Sequence, residues 1–314
     1  MIKVNVVSGF LGAGKTTLIK HLATALTENN EKVVILENEF GTVGIDGKLL
    51  ELEGLSVYEI SSGCICCTLK NDFMSTLLHI ANNICPDRIL IEPSGIFVLS
   101  ELYDIFKSPQ VNSRLTLCSA LTVIDCIRFL RHRNQYGFFF ENQISYADTL
   151  VLSKTKDISE AELIIIIEAL QSINPRAVIY SDEWAEMCKL DFLSLLSSQK
   201  HFSSHNQQKA STINIKDKPS HPRHGNHNFT AFGFVVPFKL TIAQLEEKLS
   251  DFITGSFGTL LRAKGHVNGD NGMLEFNYVD GTYEVKQLSH EIEPSVCFIG
   301  ESLDKPRIAE LFLR

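Results

Sequence analysis

The chain has 314 residues, 44% of them hydrophobic and 21% charged, which supplies a sizeable core and excludes a wholly disordered or fibrous protein. At about 150 residues per domain, this length predicts two domains. The 29 basic and 37 acidic residues leave a net charge of −8, which argues against a protein that binds nucleic acid by neutralising its phosphates.

No run approaches the roughly 18 apolar residues that a membrane span needs, and the strongest, 163–167, is fenced by Glu162 and Glu168. The first eight residues have no long apolar stretch or cleavage site of a secretory signal, so a cytoplasmic location is expected. The eight cysteines stand at 64, 66, 67, 85, 118, 126, 188 and 297. Three of them crowd into four positions, which suits metal or redox chemistry better than a disulfide framework.

In chain order, β-branched runs at 3–8, 32–37, 57–60, 88–92, 115–124, 149–153 and 177–180 read as strands. Amphipathic stretches fit between them. The clearest runs from 159 to 172, opened by the capping pair Ser159 and Glu162 and stopped by Asn174-Pro175. This alternation predicts an α/β domain over 1–196, a P-loop fold with a mostly parallel sheet and helices on both faces. Residues 197–228 have few strongly apolar positions and hold five of the ten histidines, so a flexible histidine-rich linker is expected there. Beyond it, strands at 229–236, 259–267, 273–279, 282–288 and 296–300, with helices near 241–252 and 304–312, predict a small α+β domain over 229–314.

Gly9-Phe10-Leu11-Gly12-Ala13-Gly14-Lys15-Thr16 satisfies G-x-x-x-x-G-K-S/T between a predicted strand and a predicted helix. Glycines let successive N–H groups turn inward on phosphate oxygens, and the helix N-terminus adds its positive end. Lys15 would neutralise the β- and γ-phosphates, and the Thr16 hydroxyl would hold Mg2+. Roughly 0.01 chance matches are expected in a chain this long. Glu92-Pro93-Ser94-Gly95 ends the strand at 88–92, where a carboxylate can hold Mg2+-bound water and the Gly95 N–H can sense the γ-phosphate.

Guanine is usually read by N-K-x-D after a later strand. Here that segment is Ser153-Lys154-Thr155-Lys156-Asp157, with the carboxylate one residue late. Either a bulge delivers Asp157 to the base or guanine selectivity is weakened, which leaves GTP against ATP open. The sequence offers neither a residue to position the attacking water nor an arginine finger, so slow turnover is expected.

Cys64-Ile65-Cys66-Cys67 is a C-x-C-C motif, of which composition predicts roughly 0.005 by chance. Three thiolates at this spacing can converge on one Zn2+-class ion with the fourth position open, an arrangement suited to transfer. A redox pair and core packing are the alternatives. The other five cysteines are expected to be buried apolar residues. Glu37 and Glu39, in the segment where a P-loop switch is expected, could supply a further metal ligand or reach Mg2+ through water.

Together, G-F-L-G-A-G-K-T-T at 9–17, E-N-E-F-G at 37–41, G-C-I-C-C at 63–67 and E-P-S-G at 92–95 resemble the CobW-like family of P-loop GTPases, relatives of the urease and hydrogenase nickel-insertion GTPases. The resemblance continues into the segments at 261–265 and 296–300. It implies a GTP-hydrolysing metallochaperone that couples its nucleotide state to a Zn2+ ion, with Co2+ or Ni2+ also compatible, and passes the ion to a client metalloprotein. By carry-over, Cys64, Cys66 and Cys67 would be metal ligands, residues 9–16 the phosphate cradle with Thr17 also nucleotide-binding, Glu92 the Mg2+-side acid, and Ser153-Lys154 part of the base site. The segment 68–71, with Lys70, would lie beside the nucleotide. No membrane or nucleic-acid partner is implied, and a homodimer is compatible. Two rival functions remain at this point, an ATP-using small-molecule kinase and a zinc buffer without turnover.

Overall fold

Val4, Val6 and Val7 are fully buried in β1 (Ile2–Gly9), the middle strand of a seven-stranded sheet. The computed structural model describes residues 1–37, 56–59, 69–196, 229–254, 257–279, 281–288, 291–292 and 294–313. The other strands of this sheet are β2 (Val33–Glu37), β3 (Ser56–Glu59), β4 (Arg88–Glu92), β5 (Leu115–Asp125), β6 (Thr149–Ser153) and β7 (Val178–Tyr180). They lie in the order β3-β2-β4-β1-β5-β6-β7, and every neighbouring pair is parallel. The chain runs to one side of β1 first and to the other later, so a crevice opens at the carboxyl end of β1, where ligands of such sheets bind.

Helices α1 (Lys15–Thr27), α2 (Leu69–His79), α3 (Leu99–Phe106), α4 (Pro109–Asn112), α5 (Phe129–Ser145), α6 (Glu160–Ile173) and α7 (Lys189–Leu195) connect the strands. One face of the sheet packs Val4, Val6 and Ile91 against Leu77, Leu102 and Ile105. The opposite face packs Val7, Leu90 and Leu121 against Leu18, Leu22 and Phe192. Both faces are therefore covered, as nearly continuous apolar strands require. The expected cap of α6 is present: the Glu162 N–H donates to Ser159 Oγ at 3.3 Å and the Ser159 N–H donates to the Glu162 carboxylate at 2.8 Å.

The second sheet contains β8 (Phe229–Phe234), β9 (Thr259–Gly269), β10 (Gly272–Val279), β11 (Thr282–Gln287) and β12 (Ser295–Glu301), antiparallel throughout in the order β11-β10-β9-β12-β8. Helices α8 (Ile242–Thr254) and α9 (Lys305–Leu313) cover one face, where Ala263, Val267, Phe276 and Phe298 meet Leu245, Leu249, Ile308 and Phe312. Successive strand residues point to opposite faces. From the other face, Leu261, Cys297 and Ile299 join Phe10, Leu11 and Ile124 of the first unit in one apolar cluster. No described helix is long and apolar enough to cross a membrane. The histidine-rich segment 197–228 lies outside the described residues.

Candidate functional site

The loop after β1 is anchored by two of its side chains, since Phe10 and Leu11 are each only 2% exposed. The Phe10 ring stacks on Tyr136 with centroids 4.7 Å apart. These side chains hold the loop from behind, leaving its backbone to face the crevice. Gly12 has φ +70°, and a Cβ there would come within 2.7 Å of Val279, so both conformation and space require glycine. Gly14, also left-handed, precedes the first turn of α1. The positive end of that helix thus opens on the crevice.

Lys15 is buried, with Nζ 3.4 Å from the Phe10 carbonyl and 4.0 Å from Glu92 Oε1. The Thr16 hydroxyl donates to the same carboxylate oxygen at 3.2 Å. The phosphate-loop lysine, its neighbouring hydroxyl and the acid at the end of β4 therefore converge. Glu37, buried at the end of β2, is the register partner of Glu92, while Glu59 flanks Glu37 on β3, so three carboxylate residues end adjacent strands. A hydroxyl beside a carboxylate is the hard-oxygen donor pair that suits Mg2+. Gly95 packs closely against the loop, where a Cβ would fall 2.7 Å from the Leu11 nitrogen, and its carbonyl accepts from Gln143 Nε2 at 3.0 Å.

On the base side, Ser153 Oγ lies 2.7 Å from the Ala13 carbonyl and 3.1 Å from that of Ile124, so this hydroxyl braces the loop against β5. Lys154 Nζ contacts Asp125 at 2.5 Å and the Gly12 carbonyl at 3.3 Å. Lys156 is exposed and points to Glu183 and Glu186, at 3.7 and 3.9 Å. Asp157 is also exposed, in the short 3-10 turn Thr155–Asp157. Trp184 packs its ring against Gly14 and donates from Nε1 to the Leu152 carbonyl at 3.0 Å.

A cavity of about 570 Å³ lies over the loop, floored by Lys15, Thr16, Thr17 and Glu92 and walled by Arg262, Lys264 and Lys286 of the second sheet. Sequence reasoning missed these wall cations, and it missed the buried Asp125 with its partner Arg128, which lies 3.2 Å away. The signals available were the family-like segment 261–265, which holds Arg262 and Lys264, and their i, i+2 spacing, which puts both on one strand face.

A profile described as "CobW/HypB/UreG, nucleotide-binding domain" matches residues 3–181. The chain belongs to this family. A second profile, for the CobW C-terminal domain, matches residues 229–314. The CobW/HypB/UreG chain is 27% identical over 323 residues to the zinc chaperone YjiA of Escherichia coli, covering 99% of this chain and 98% of that one. It is 28% identical over 347 residues to the zinc-regulated GTPase metalloprotein activator 1 of Schizosaccharomyces pombe, covering 97% and 83%. The solved Zn(II)-bound YjiA GTPase of E. coli aligns over 100% of this chain and 99% of its own, at 23% identity and a TM-score of 0.47.

The cysteines that the family resemblance singles out, Cys64, Cys66 and Cys67, lie outside the described residues, as does Glu39. Lys70 falls in α2, and its side chain is not among those described. Among the described residues, no group of three His, Cys, Asp or Glu side chains could hold a metal ion. The expectation that the other five cysteines are buried holds for Cys126 and Cys297, is met only in part by the half-buried Cys118, and fails for Cys85 and Cys188, which are exposed. Both fall at helix ends, Cys85 left-handed after a π-helical turn and Cys188 at the N-cap of α7, where the chain meets solvent.

Proposed function

We propose that the chain is a GTP-hydrolysing metallochaperone that binds Zn2+ at Cys64, Cys66 and Cys67 and releases it to a client protein when its nucleotide state changes. The observation that carries the nucleotide half is the convergence of Lys15 and Thr16 on Glu92 beneath the cavity. In this reading, backbone N–H groups of residues 9–14 cradle the phosphates, and Thr17 lines the cavity beside them. Lys15 neutralises the β- and γ-phosphates. Thr16 and Glu92 would hold Mg2+, which would supply neutralisation of the phosphate charge. Ser153 and Lys154 brace the base side, and Asp157 or a substitute reads the base.

The metal half rests on the C-x-C-C spacing and on the names of the relatives, which are zinc chaperones. Chain order supports the coupling, because the cysteines fall between Glu37 and Glu92, which are register partners on adjacent strands. A change at either strand end would be felt in the segment that joins them. The absence of a membrane-length apolar run in the sequence fits a cytoplasmic site of action.

A chelator-competition titration of Zn2+ with Mg-GTP, Mg-GDP, Mg-ATP and no nucleotide tests both halves together. The expected result is tighter zinc binding with Mg-GTP alone. Equal zinc affinity in all four conditions would overturn the coupling, since a ligand that does not discriminate between two states shifts neither.

A further inference from the structure

Helix α5 buries one row of side chains at spacings of three and four, Phe129, His132, Tyr136 and Phe140, and the next place in that row is Gln143, only 1% exposed. An amide taken out of water needs partners, and an apolar residue would fill the row without that need. The partners here are specific. Gln143 Nε2 donates to the Gly95 carbonyl at 3.0 Å and to the Phe97 carbonyl at 3.1 Å, while its Oε1 has no hydrogen-bond partner among the described residues. A carbonyl can accept only from the NH2 end of an amide, so these two contacts fix which way the side chain faces. The backbone beneath it is pinned as well, since the Thr122 hydroxyl on β5 donates to the Gln143 carbonyl at 2.8 Å.

The two carbonyls belong to a tight turn over 94–97, closed by the Phe97 N–H donating to the Ser94 carbonyl at 3.0 Å. This turn begins just after Glu92, the acid that meets Lys15 and Thr16. It also rests on the phosphate loop, where a Cβ on Gly95 would fall 2.7 Å from the Leu11 nitrogen and 2.6 Å from Leu11 Cδ2. The turn is therefore clamped between the phosphate loop and α5. A trans peptide sets its C=O and N–H in opposite directions. With the Ser94 carbonyl drawn into the turn, the Gly95 N–H points out of it. With the Gly95 carbonyl drawn to α5, the Ile96 N–H points away from that helix. Two backbone donors are thereby fixed in direction beside the acid that ends β4.

We propose that Gln143 is a positioning residue, which holds the turn over 94–97 against the phosphate loop so that the Gly95 N–H meets the terminal phosphate of a nucleoside triphosphate. This rests on the nucleotide reading above. Gln143 reaches the phosphate only through the turn. A diphosphate ends one phosphoryl group short of the turn and draws little from it, whereas a triphosphate gains a backbone hydrogen bond to a charged oxygen. Because the donor is aimed before the phosphate arrives, no reorganisation is needed when it does. The same helix holds the loop itself, through His132 and Tyr136 against Phe10, so α5 fixes both the loop and the turn as one rigid element.

The test compares the affinity of the full-length protein for a non-hydrolysable GTP analogue and for GDP, both with Mg2+. Gln143→Met keeps the length and bulk of the side chain and removes both donors. It is expected to weaken the analogue about tenfold and GDP less than about threefold. Gln143→Asn keeps a buried amide drawn back by a methylene, so it is expected to fold even if Gln143→Met does not, with a smaller shift in the same direction. Asn142→Ala is the structural comparison, because Asn142 holds Ser100 at the start of α3, donating to its hydroxyl at 3.1 Å and accepting from its N–H at 3.3 Å. Its loss is expected to leave the ratio of the two affinities unchanged. Equal weakening of both nucleotides by the Gln143 variants, no change in either, or the same shift of the ratio in Asn142→Ala overturns the positioning role and leaves the loop site standing. A tighter hold on the analogue overturns it too, since Gln143 would then restrain the turn instead of presenting it. Wild-type protein that bound neither nucleotide would remove the nucleotide reading itself, and this role with it.

Discussion

Lys154 Nζ lies 2.5 Å from Asp125 Oδ2, so the lysine that opens the base-side loop is tied to the end of β5. Asp125 is fully buried at its side chain and also holds Arg128 at 3.2 Å. Arg128 in turn reaches the second sheet, donating to the Val279 carbonyl at 3.4 Å and to the Thr282 hydroxyl. One buried carboxylate thus links the base side of the cleft to the hairpin that walls it.

Arg128→Ala removes one of the two cations on Asp125 and both hydrogen bonds across the unit boundary. Breaking a buried pair usually costs 3–5 kcal/mol, but Arg128 is partly exposed and Lys154 stays in place, so the expected loss is about 2 kcal/mol. Urea denaturation measures it. A loss below about 0.5 kcal/mol would show that Lys154 alone satisfies Asp125.

Ser153→Ala leaves the Ala13 and Ile124 carbonyls without the hydroxyl that lies 2.7 and 3.1 Å from them. A destabilisation of about 1 kcal/mol is expected, together with a fall in nucleotide affinity of about threefold or more as the loop loses its brace. Calorimetric titration with GDP and a thermal melt separate the two effects. Unchanged affinity alongside reduced stability would mean that Phe10 and Leu11 alone fix the loop.

The phosphate loop was legible because its residues act through backbone geometry, and glycine spacing records geometry directly. Ser153 and Lys154, expected from the sequence in the base site, make their contacts to the loop and to Asp125. Asp125 was not legible, because one acid ending an apolar strand is commonplace and its burial depends on Lys154 arriving from another segment beside the nearby Arg128. The wall of Arg262, Lys264 and Lys286 was hidden for a stronger reason. Strand alternation shows that Arg262 and Lys264 share a face, but which face meets the loop is decided by the long-range packing of Leu261, Cys297 and Ile299 on Phe10 and Leu11.

Lys156 stands where an N-K-x-D motif carries its aspartate, and it is paired with Glu183 and Glu186. A carboxylate in that slot accepts from two guanine donors, which a lysine cannot do. The wild-type protein is therefore expected to prefer GTP over ATP by a narrow margin, and Lys156→Asp to widen it by about tenfold or more. Competition of each nucleotide against a fluorescent GDP gives the ratio before and after. The lost pairing with Glu183 is exposed and should cost little stability. No change in the ratio would mean that the base is read from a different segment, such as the one carrying Trp184.

His132 sits against Phe10, Tyr136 and Phe140, with ring centroids 4.6, 5.9 and 5.9 Å away, and is 1% exposed. Burial lowers its pKa from 6.5 to about 4; Asp125 pulls it up, while Arg128, Arg131 and Lys154 push it further down. The unfolded chain therefore takes up this proton at a higher pH than the folded one. Between about 6.5 and about 4 the unfolded state binds more protons, so the stability contributed by neutral His132 is present above that window and is lost as the pH falls through it. Denaturation midpoints measured from about pH 7 down to about pH 4 should decline for the wild-type protein and decline less for His132→Phe. Phe10 is both a neighbour of His132 and a loop residue, so nucleotide affinity is expected to weaken over the same pH range in the wild type. Parallel pH profiles for the two proteins would place the acid sensitivity in other groups.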